Sequence, residues 1–81
     1  MASEAVEGIW RAPGSARAVP CRLTLEGGGF VATSHDGDVM ATASVSQADI
    51  SSRIGRVARR IGFPGGSEFE TTDNDGIDRL L

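Results

Sequence analysis

The 81-residue chain contains no lysine or tyrosine, a single cysteine and a single histidine. One cysteine excludes an internal disulfide and is typical of a reducing compartment. No apolar run approaches the roughly 18 residues that a membrane-spanning helix needs. The first residues lack the basic and apolar segments of a secretory signal. We therefore expect the chain to be soluble by itself, which leaves open a longer parent protein that is anchored in a membrane.

The charge balance is mildly acidic, with a net charge of −3, and all eight basic residues are arginine. Arginine without lysine favours a GC-rich bacterial genome over arginine-specific recognition. Because phosphate contacts dominate binding to nucleic acids, an acidic chain predicts no nucleic-acid partner. A chain of this length fits one domain, residues 1–81, with a small core.

Turn signals recur at short spacing and divide the first half of the chain into strand-length segments. Strands are predicted at residues 6–12, 18–26, 30–34 and 39–45. Residues 18–26 alternate between apolar and polar side chains, which indicates one buried face, and Pro20 predicts an edge strand or a bulge there. Asp36-Gly37 is a hairpin turn signal. In the strand that follows, Val39, Ala41, Ala43 and Val45 are predicted to face inward.

The segment from residue 46 to residue 63 allows two interpretations. Ile50, Ile54, Val57 and Ile61 have helical spacing. Serines 51 and 52 and Gly55, however, are weak helix formers. We predict a strand at 49–53, a loop around Gly55 and a strand at 57–63.

The C-terminal segment predicts a Gly-rich turn at residues 64–66, a strand at 67–71 with Phe69 inward, and a helix. Thr72 and Asp75 form a capping-box pattern, and Ile77, Leu80 and Leu81 share one face. No Gly or Asn closes this helix after Leu81, so we expect the domain to be the N-terminal part of a longer protein. About seven antiparallel strands and one terminal helix predict a mainly β fold, a small pleckstrin-homology-like, partly open barrel capped by the helix.

Few residues suggest reaction chemistry. His35 lies beside Asp36 and Asp38, but no nucleophile with a local signature accompanies it. Cys21 lies on an apolar strand face and is predicted to be a small buried hydrophobe. Three aspartates near the C-terminus resemble part of a calcium-binding loop, but Gly76 does not stand at the position that such a loop requires for its glycine. We predict that this chain has no catalytic residue, no cofactor-binding residue and no metal ligand.

Arg53, Arg56, Arg59 and Arg60 form the basic cluster of the sequence. Such a cluster could contact an anionic lipid surface or an acidic partner. The favoured alternative is a solvated face that pairs with the acidic C-terminal segment, since residues 66–81 carry five carboxylates and one arginine.

A series of turn and core residues resembles one family over nearly the whole chain. The family is the N-terminal domain of bacterial membrane zinc metallopeptidases of the HtpX and CaaX-protease type. The series comprises Gly8-Ile9-Trp10, Pro13-Gly14-Ser15-Ala16-Arg17, Val19, Leu23, Leu25, Asp36-Gly37, residues 59–67, Phe69-Glu70-Thr71, Asp73-Asn74-Asp75, Ile77-Asp78 and Leu80-Leu81. One position departs, because Thr42 follows Ala41 where the family often has an aromatic residue.

The resemblance implies a non-catalytic accessory or regulatory module on the cytoplasmic face of the bacterial inner membrane. It places the membrane segment, the zinc and the HExxH peptidase domain of the parent beyond Leu81. The partners it implies are those segments of the parent, and possible further partners are other proteins or an anionic lipid surface. The alternative function is an independent pleckstrin-like module that binds anionic lipid or peptide through the four arginines.

Overall fold

A computed structural model describes residues 5–81, and antiparallel strands dominate it. A 3-10 turn, Val45–Gln47, follows the fourth strand, and the helix α1 spans Asn74–Leu80. The strands are β1 (Ala5–Arg11), β2 (Val19–Glu26), β3 (Gly29–Ser34), β4 (Val39–Ser44), β5 (Asp49–Ile50), β6 (Arg59–Gly62) and β7 (Glu68–Thr71).

The seven strands form one antiparallel sheet in the order β4-β3-β2-β1-β7-β6-β5. Strand β1 lies at its centre, where Trp10 pairs with Val19 of β2 and with Phe69 of β7. Because β4 and β5 do not pair with each other, the sheet forms a half-barrel rather than a closed one. The mainly β fold, with a partly open barrel and a C-terminal helix, is therefore confirmed.

The concave face of the sheet and α1 enclose the core. Gly8 lies on this face, where a Cβ atom would stand 2.5 Å from Cζ of Phe69. Glycine at this position therefore lets the Phe69 ring lie directly against β1. The fully buried larger side chains are Val6, Cys21, Leu23, Phe30, Ile61, Phe69 and Ile77.

Helix α1 begins one residue later than the sequence predicted. Asp73 is the N-cap, and its carboxylate accepts a hydrogen bond of 2.9 Å from the Gly76 amide. The predicted capping box of Thr72 and Asp75 is therefore wrong. Ile77 and Leu80 pack in the core as expected. Leu81 lies past the last helical residue and is 59% exposed, so it is not an anchor of the helix.

The predictions for Pro20 and Val39 are wrong, and in both cases the pairing between strands explains why. Pro20 does not mark an edge strand, because β2 pairs with both β1 and β3. The pairing of β2 with β3 ends at Cys21, which lies opposite Ser34. Pro20 therefore has no β3 residue opposite it, and β3 offers no acceptor for the N–H that proline lacks. Val39 faces outward because β4 bulges: Thr33 pairs with Val39 but Ala32 pairs with Ala41.

The ambiguous segment forms two strands, both shorter than predicted. Residues 51–58 connect β5 to β6 as a loop, and Val57 lies in this loop rather than on the inner face. Arg59 is instead the first inward residue of β6, on the same face as Ile61. The helical alternative is not adopted, apart from the single 3-10 turn that ends at Gln47.

Candidate contact surface

The loop between β5 and β6 presents an ordered turn, residues 54–57, which we call the apical turn. The Val57 amide donates to the Ile54 carbonyl at 2.9 Å, and Gly55 has φ +52°, a conformation that favours glycine. All residues from 52 to 57 are exposed. Ile54 is 64% exposed and Val57 is 61% exposed, so two aliphatic side chains flank Arg56 in water.

Hydrogen bonds hold both sides of this loop. Nδ2 of Asn74 donates to the Val57 carbonyl at 3.2 Å, which ties the apical turn to the start of α1. At the base of the loop, the Ser51 amide donates to the Arg60 carbonyl at 2.9 Å, and the Arg60 amide donates to Oγ of Ser51 at 2.8 Å. The loop is therefore fixed at its base and at its tip.

An ion-pair network joins the loop to α1. Nη1 of Arg53 pairs with Oδ1 of Asp75 at 2.9 Å and also with Asp78. The buried Arg59 donates to the Ser51 carbonyl at 2.9 Å and to Oδ1 of Asp78 at 3.0 Å. Hydrogen bonds from Arg53 and Arg59 lower the pKa of Asp78, and hydrogen bonds to Asp78 and Asp75 raise the pKa of Arg53.

The four arginines of the sequence cluster therefore have different surroundings. Arg53 and Arg59 are paired with carboxylates of α1. Nε of the exposed Arg60 lies 3.6 Å from Oε1 of Glu70. Arg56 is exposed, and within residues 5–81 it has no carboxylate partner.

A cleft of about 360 Å³ separates the apical turn from the start of α1. Arg53, Arg56 and residues 72–75 line it. Asn74 is only 7% exposed, and its Oδ1 atom is buried without a hydrogen-bond partner among residues 5–81. The contact between Asn74 and the apical turn was not predictable from the sequence, since an Asn at the start of a helix is also common as a capping residue.

His35 and Cys21 lie away from this surface. Nε2 of His35 is 2.9 Å from Oε1 of Glu7, so its partner is neither Asp36 nor Asp38. Cys21 is a free, buried thiol, as predicted from its strand face. Burial, followed by the nearby Glu7 carboxylate, raises its pKa to about 11. The thiol is therefore protonated and unreactive at neutral pH.

The carboxylates of the three C-terminal aspartates all make contacts within the domain. Asp73 caps α1, while Asp75 and Asp78 pair with Arg53. Within the described part of the chain, no group of three or more His, Cys, Asp or Glu side chains is arranged to hold a metal ion. Over the same residues, no helix is long and apolar enough to cross a membrane.

Comparison with known proteins gives one match. The profile of a family described as a domain of unknown function, DUF7092, covers residues 5–81. Neither the curated proteins nor the solved structures contain a match. Because the profile covers nearly the whole chain, including every strand and α1, the chain belongs to the DUF7092 family.

Proposed function

We propose that this chain is the non-catalytic accessory domain of a bacterial membrane-bound zinc metallopeptidase, and that the apical turn is its contact surface. The observation that carries the contact role is the combination of order and exposure at this turn. Ile54 and Val57 stay in water although hydrogen bonds fix the loop around them. The link to a metallopeptidase is supported by the resemblance in turn and core residues.

Order at the apical turn favours binding for an energetic reason. A partner that immobilises a flexible loop must offset roughly 1–2 kcal/mol for each residue whose backbone it orders. Here Asn74 and Ser51 already hold the loop in one conformation. Two aliphatic side chains beside a guanidinium can then bury apolar area and contact an anionic group without a further cost for ordering the backbone.

In this proposal the chemistry belongs to other segments of the parent. Zinc binding and peptide hydrolysis belong to a peptidase domain beyond Leu81, at the cytoplasmic face of the inner membrane. The present chain supplies contacts with those segments or with the protein that they cleave.

The sequence of the full-length gene tests the link to a peptidase directly. We expect an apolar span of about 20 residues and an HExxH motif downstream of Leu81. A parent that lacks both features would contradict the proposed accessory role.

A second candidate function is binding to an anionic lipid surface. Arg56 favours it, because this side chain has no carboxylate partner in the part of the chain that the structure describes. Arg53 and Arg59 are engaged by Asp78, so Arg56 and the exposed Arg60 are the side chains most available for lipid phosphates. A basic residue near an anionic membrane contributes about 1 kcal/mol, and salt weakens the effect.

Liposome sedimentation at low salt separates this candidate from the first. We expect the double variant Arg56→Ala, Arg60→Ala to bind anionic vesicles more weakly than the unmodified chain. The control is Arg17→Ala, which removes one positive charge from an exposed loop between β1 and β2, and it is compared with Arg56→Ala alone as well as with the double variant. Equal sedimentation of all forms would mean that these arginines are solvated and do not contact lipid.

A further inference from the structure

A second cleft borders the apical turn, and no residue of α1 lines it. Its volume is about 380 Å³, and its lining consists of Ser51, Ser52, Ile54, Val57, Ala58 and Arg60. Among these residues Arg60 carries the charge, and none is a carboxylate. The exposed Arg56 adjoins Val57 at the tip. Aliphatic walls beside positive charge fit a segment that presents an aliphatic side chain together with carboxylates.

The chain itself carries an exposed segment of this composition, residues 36–39, which we call the acidic turn. Asp36, Asp38 and Val39 are all exposed, and neither aspartate has an ion-pair partner within residues 5–81. The exposed large hydrophobic residues of the described chain are Val39, Ile54, Val57 and Leu81. Three of these four therefore lie in the acidic turn or the apical turn, which are also opposite in charge.

Hydrogen bonds hold the acidic turn in one conformation. The Ser34 amide donates to the Asp38 carbonyl at 2.8 Å, and the Gly37 amide donates to the Ser34 carbonyl at 3.0 Å. The Asp38 amide donates to Oγ of Ser34 at 3.1 Å. Because the apical turn is held as well, contact between the two turns requires little further ordering of the backbone.

The two turns lie at opposite ends of the sheet. Strands β3 and β6 run in the same direction, because an even number of antiparallel pairings separates them. The acidic turn follows the end of β3, whereas the apical turn precedes the start of β6. Since β3 has six residues, it spans roughly 20 Å. One copy therefore cannot join its own two turns, but a second copy placed end to end with it can.

We propose that the apical turn binds the acidic turn of a second copy of this chain, so that copies associate head to tail. The exposed valine of one copy enters the apolar cleft of the next, and its two aspartates meet Arg56 and Arg60. We name this partner on the basis of the contact role proposed above for the apical turn. Such a heterologous contact leaves both kinds of turn free at the ends of an assembly, so further copies can add.

The shape of the surface favours this partner over a membrane. Asp75 lies across the apical turn from the cleft, and its side chain is 73% exposed. A flat anionic surface resting on the turn would also approach this carboxylate, whereas an incoming acidic turn contacts the cleft alone. One turn in one cleft buries less than the about 1,200 Å² of a stable interface, so we expect weak, reversible association.

Sedimentation equilibrium at rising protein concentration tests the proposal. We expect the mean mass to exceed that of a dimer at millimolar concentration. The acidic-turn variant carries Asp36→Asn, Asp38→Asn and Val39→Ser, and the apical-turn variant carries Ile54→Ser, Arg56→Ala and Val57→Ser. All six positions are exposed, so we expect both variants to fold and each alone to associate at least tenfold more weakly. A monomeric unmodified chain at millimolar concentration, or unchanged association of either variant, would overturn the proposal.

Net charge alone predicts a different outcome. Loss of two carboxylates changes the net charge from −3 to −1, which reduces repulsion between copies and favours association. Weaker association of the acidic-turn variant would therefore support the specific contact. Arg17→Ala is the control for the apical-turn variant, because it changes the net charge equally, and it should associate like the unmodified chain. A loss as large in this control as in the apical-turn variant would overturn the proposal.

A mixture of the two variants separates head-to-tail contact from other modes of association. Each variant keeps the surface that the other lacks, so an equal mixture should form heterodimers and no larger assembly. With one partner ¹⁵N-labelled, we expect amide shifts at residues 51–60 of the acidic-turn variant and at residues 36–39 of the apical-turn variant.

Two other patterns of shifts would overturn the proposal. Shifts centred on Thr42 and Ser44 would indicate pairing between β4 edges. Shifts at the apical turn that appear with anionic vesicles and not with a second copy would indicate a membrane surface. None of these measurements requires a peptidase segment, so failure here would leave the proposed accessory function standing.

Discussion

At the residue scale, the packing of β1 against β7 depends on Gly8. A Cβ atom there would overlap the Glu70 carbonyl oxygen and would lie 2.5 Å from Cζ of Phe69. We expect Gly8→Ala to lower the free energy of unfolding by about 1–3 kcal/mol, the usual cost of overpacking. Urea unfolding measures the change.

Gly62→Ala is the matched control for this prediction, since a Cβ at Gly62 meets its nearest atom at an ordinary 3.5 Å. We expect the control to change stability much less than Gly8→Ala. Equal effects of the two substitutions would mean that β1 and β7 are not packed as closely as described.

The difference between prediction and structure at this scale has a physical origin. Alternation along a strand correctly placed Cys21, Leu23 and Phe69 in the core. The same alternation failed at Val39, because one extra residue in a bulge reverses the direction of every side chain beyond it. No residue type in β4 predicts that bulge.

At the element scale, α1 stabilises the barrel through two side chains, Ile77 and Leu80. We expect Leu80→Ala to cost about 2–5 kcal/mol, a large part of the total stability of so small a domain. Leu81→Ala is the control, since Leu81 is mostly exposed and its loss should change thermal stability little. If Leu81→Ala were the more damaging change, the described end of α1 would be wrong.

The ion-pair network between α1 and the β5–β6 loop should make the free energy of unfolding depend on pH in the acidic range. The pKa of Asp78 is lower in the folded chain than its ordinary value of 3.8. Between the folded pKa of Asp78 and its ordinary value, the unfolded state binds more protons than the native state. The stabilisation from Asp78 is therefore fully present above pH 3.8, and it is lost as the pH falls through the folded pKa. Urea unfolding at pH 7 and near pH 3 measures the loss.

We expect Asp78→Asn to be less stable than the unmodified chain at pH 7 and to lose less stability on acidification. Asp36 lies in an exposed turn and has no ion-pair partner among residues 5–81, so Asp36→Asn should keep the acid response of the unmodified chain. An unchanged acid response in Asp78→Asn would mean that Asp78 does not link the loop to α1 in solution.

At this scale the sequence patterns correctly predicted the seven strands and the helix. They did not predict the ion-pair network between the β5–β6 loop and α1. The turn signals at Gly37, Gly55 and Gly65 correspond to real turns with positive φ. Arg59 was grouped with exposed arginines although it shares strand parity with the buried Ile61 and Phe63. The inward position of an arginine was not predictable, because it depends on Asp78 and the Ser51 carbonyl, which a distant helix and loop supply.

At the scale of the whole molecule, the open half-barrel presents the apical turn on its surface. This turn combines exposed aliphatic side chains with an arginine that has no carboxylate partner among residues 5–81. In our proposal this turn contacts partners, and catalysis belongs to another part of the parent protein.

The most direct test of the accessory role compares cleavage of a protein substrate and of a short peptide by the full-length protein. The variant carries Ile54→Ser, Arg56→Ala and Val57→Ser, all at exposed positions, and Arg17→Ala is the control. We predict that the variant cleaves the protein substrate at least tenfold more slowly and the short peptide at the unmodified rate. Unchanged cleavage of both substrates, or equal loss on both, would contradict a non-catalytic contact role for the apical turn.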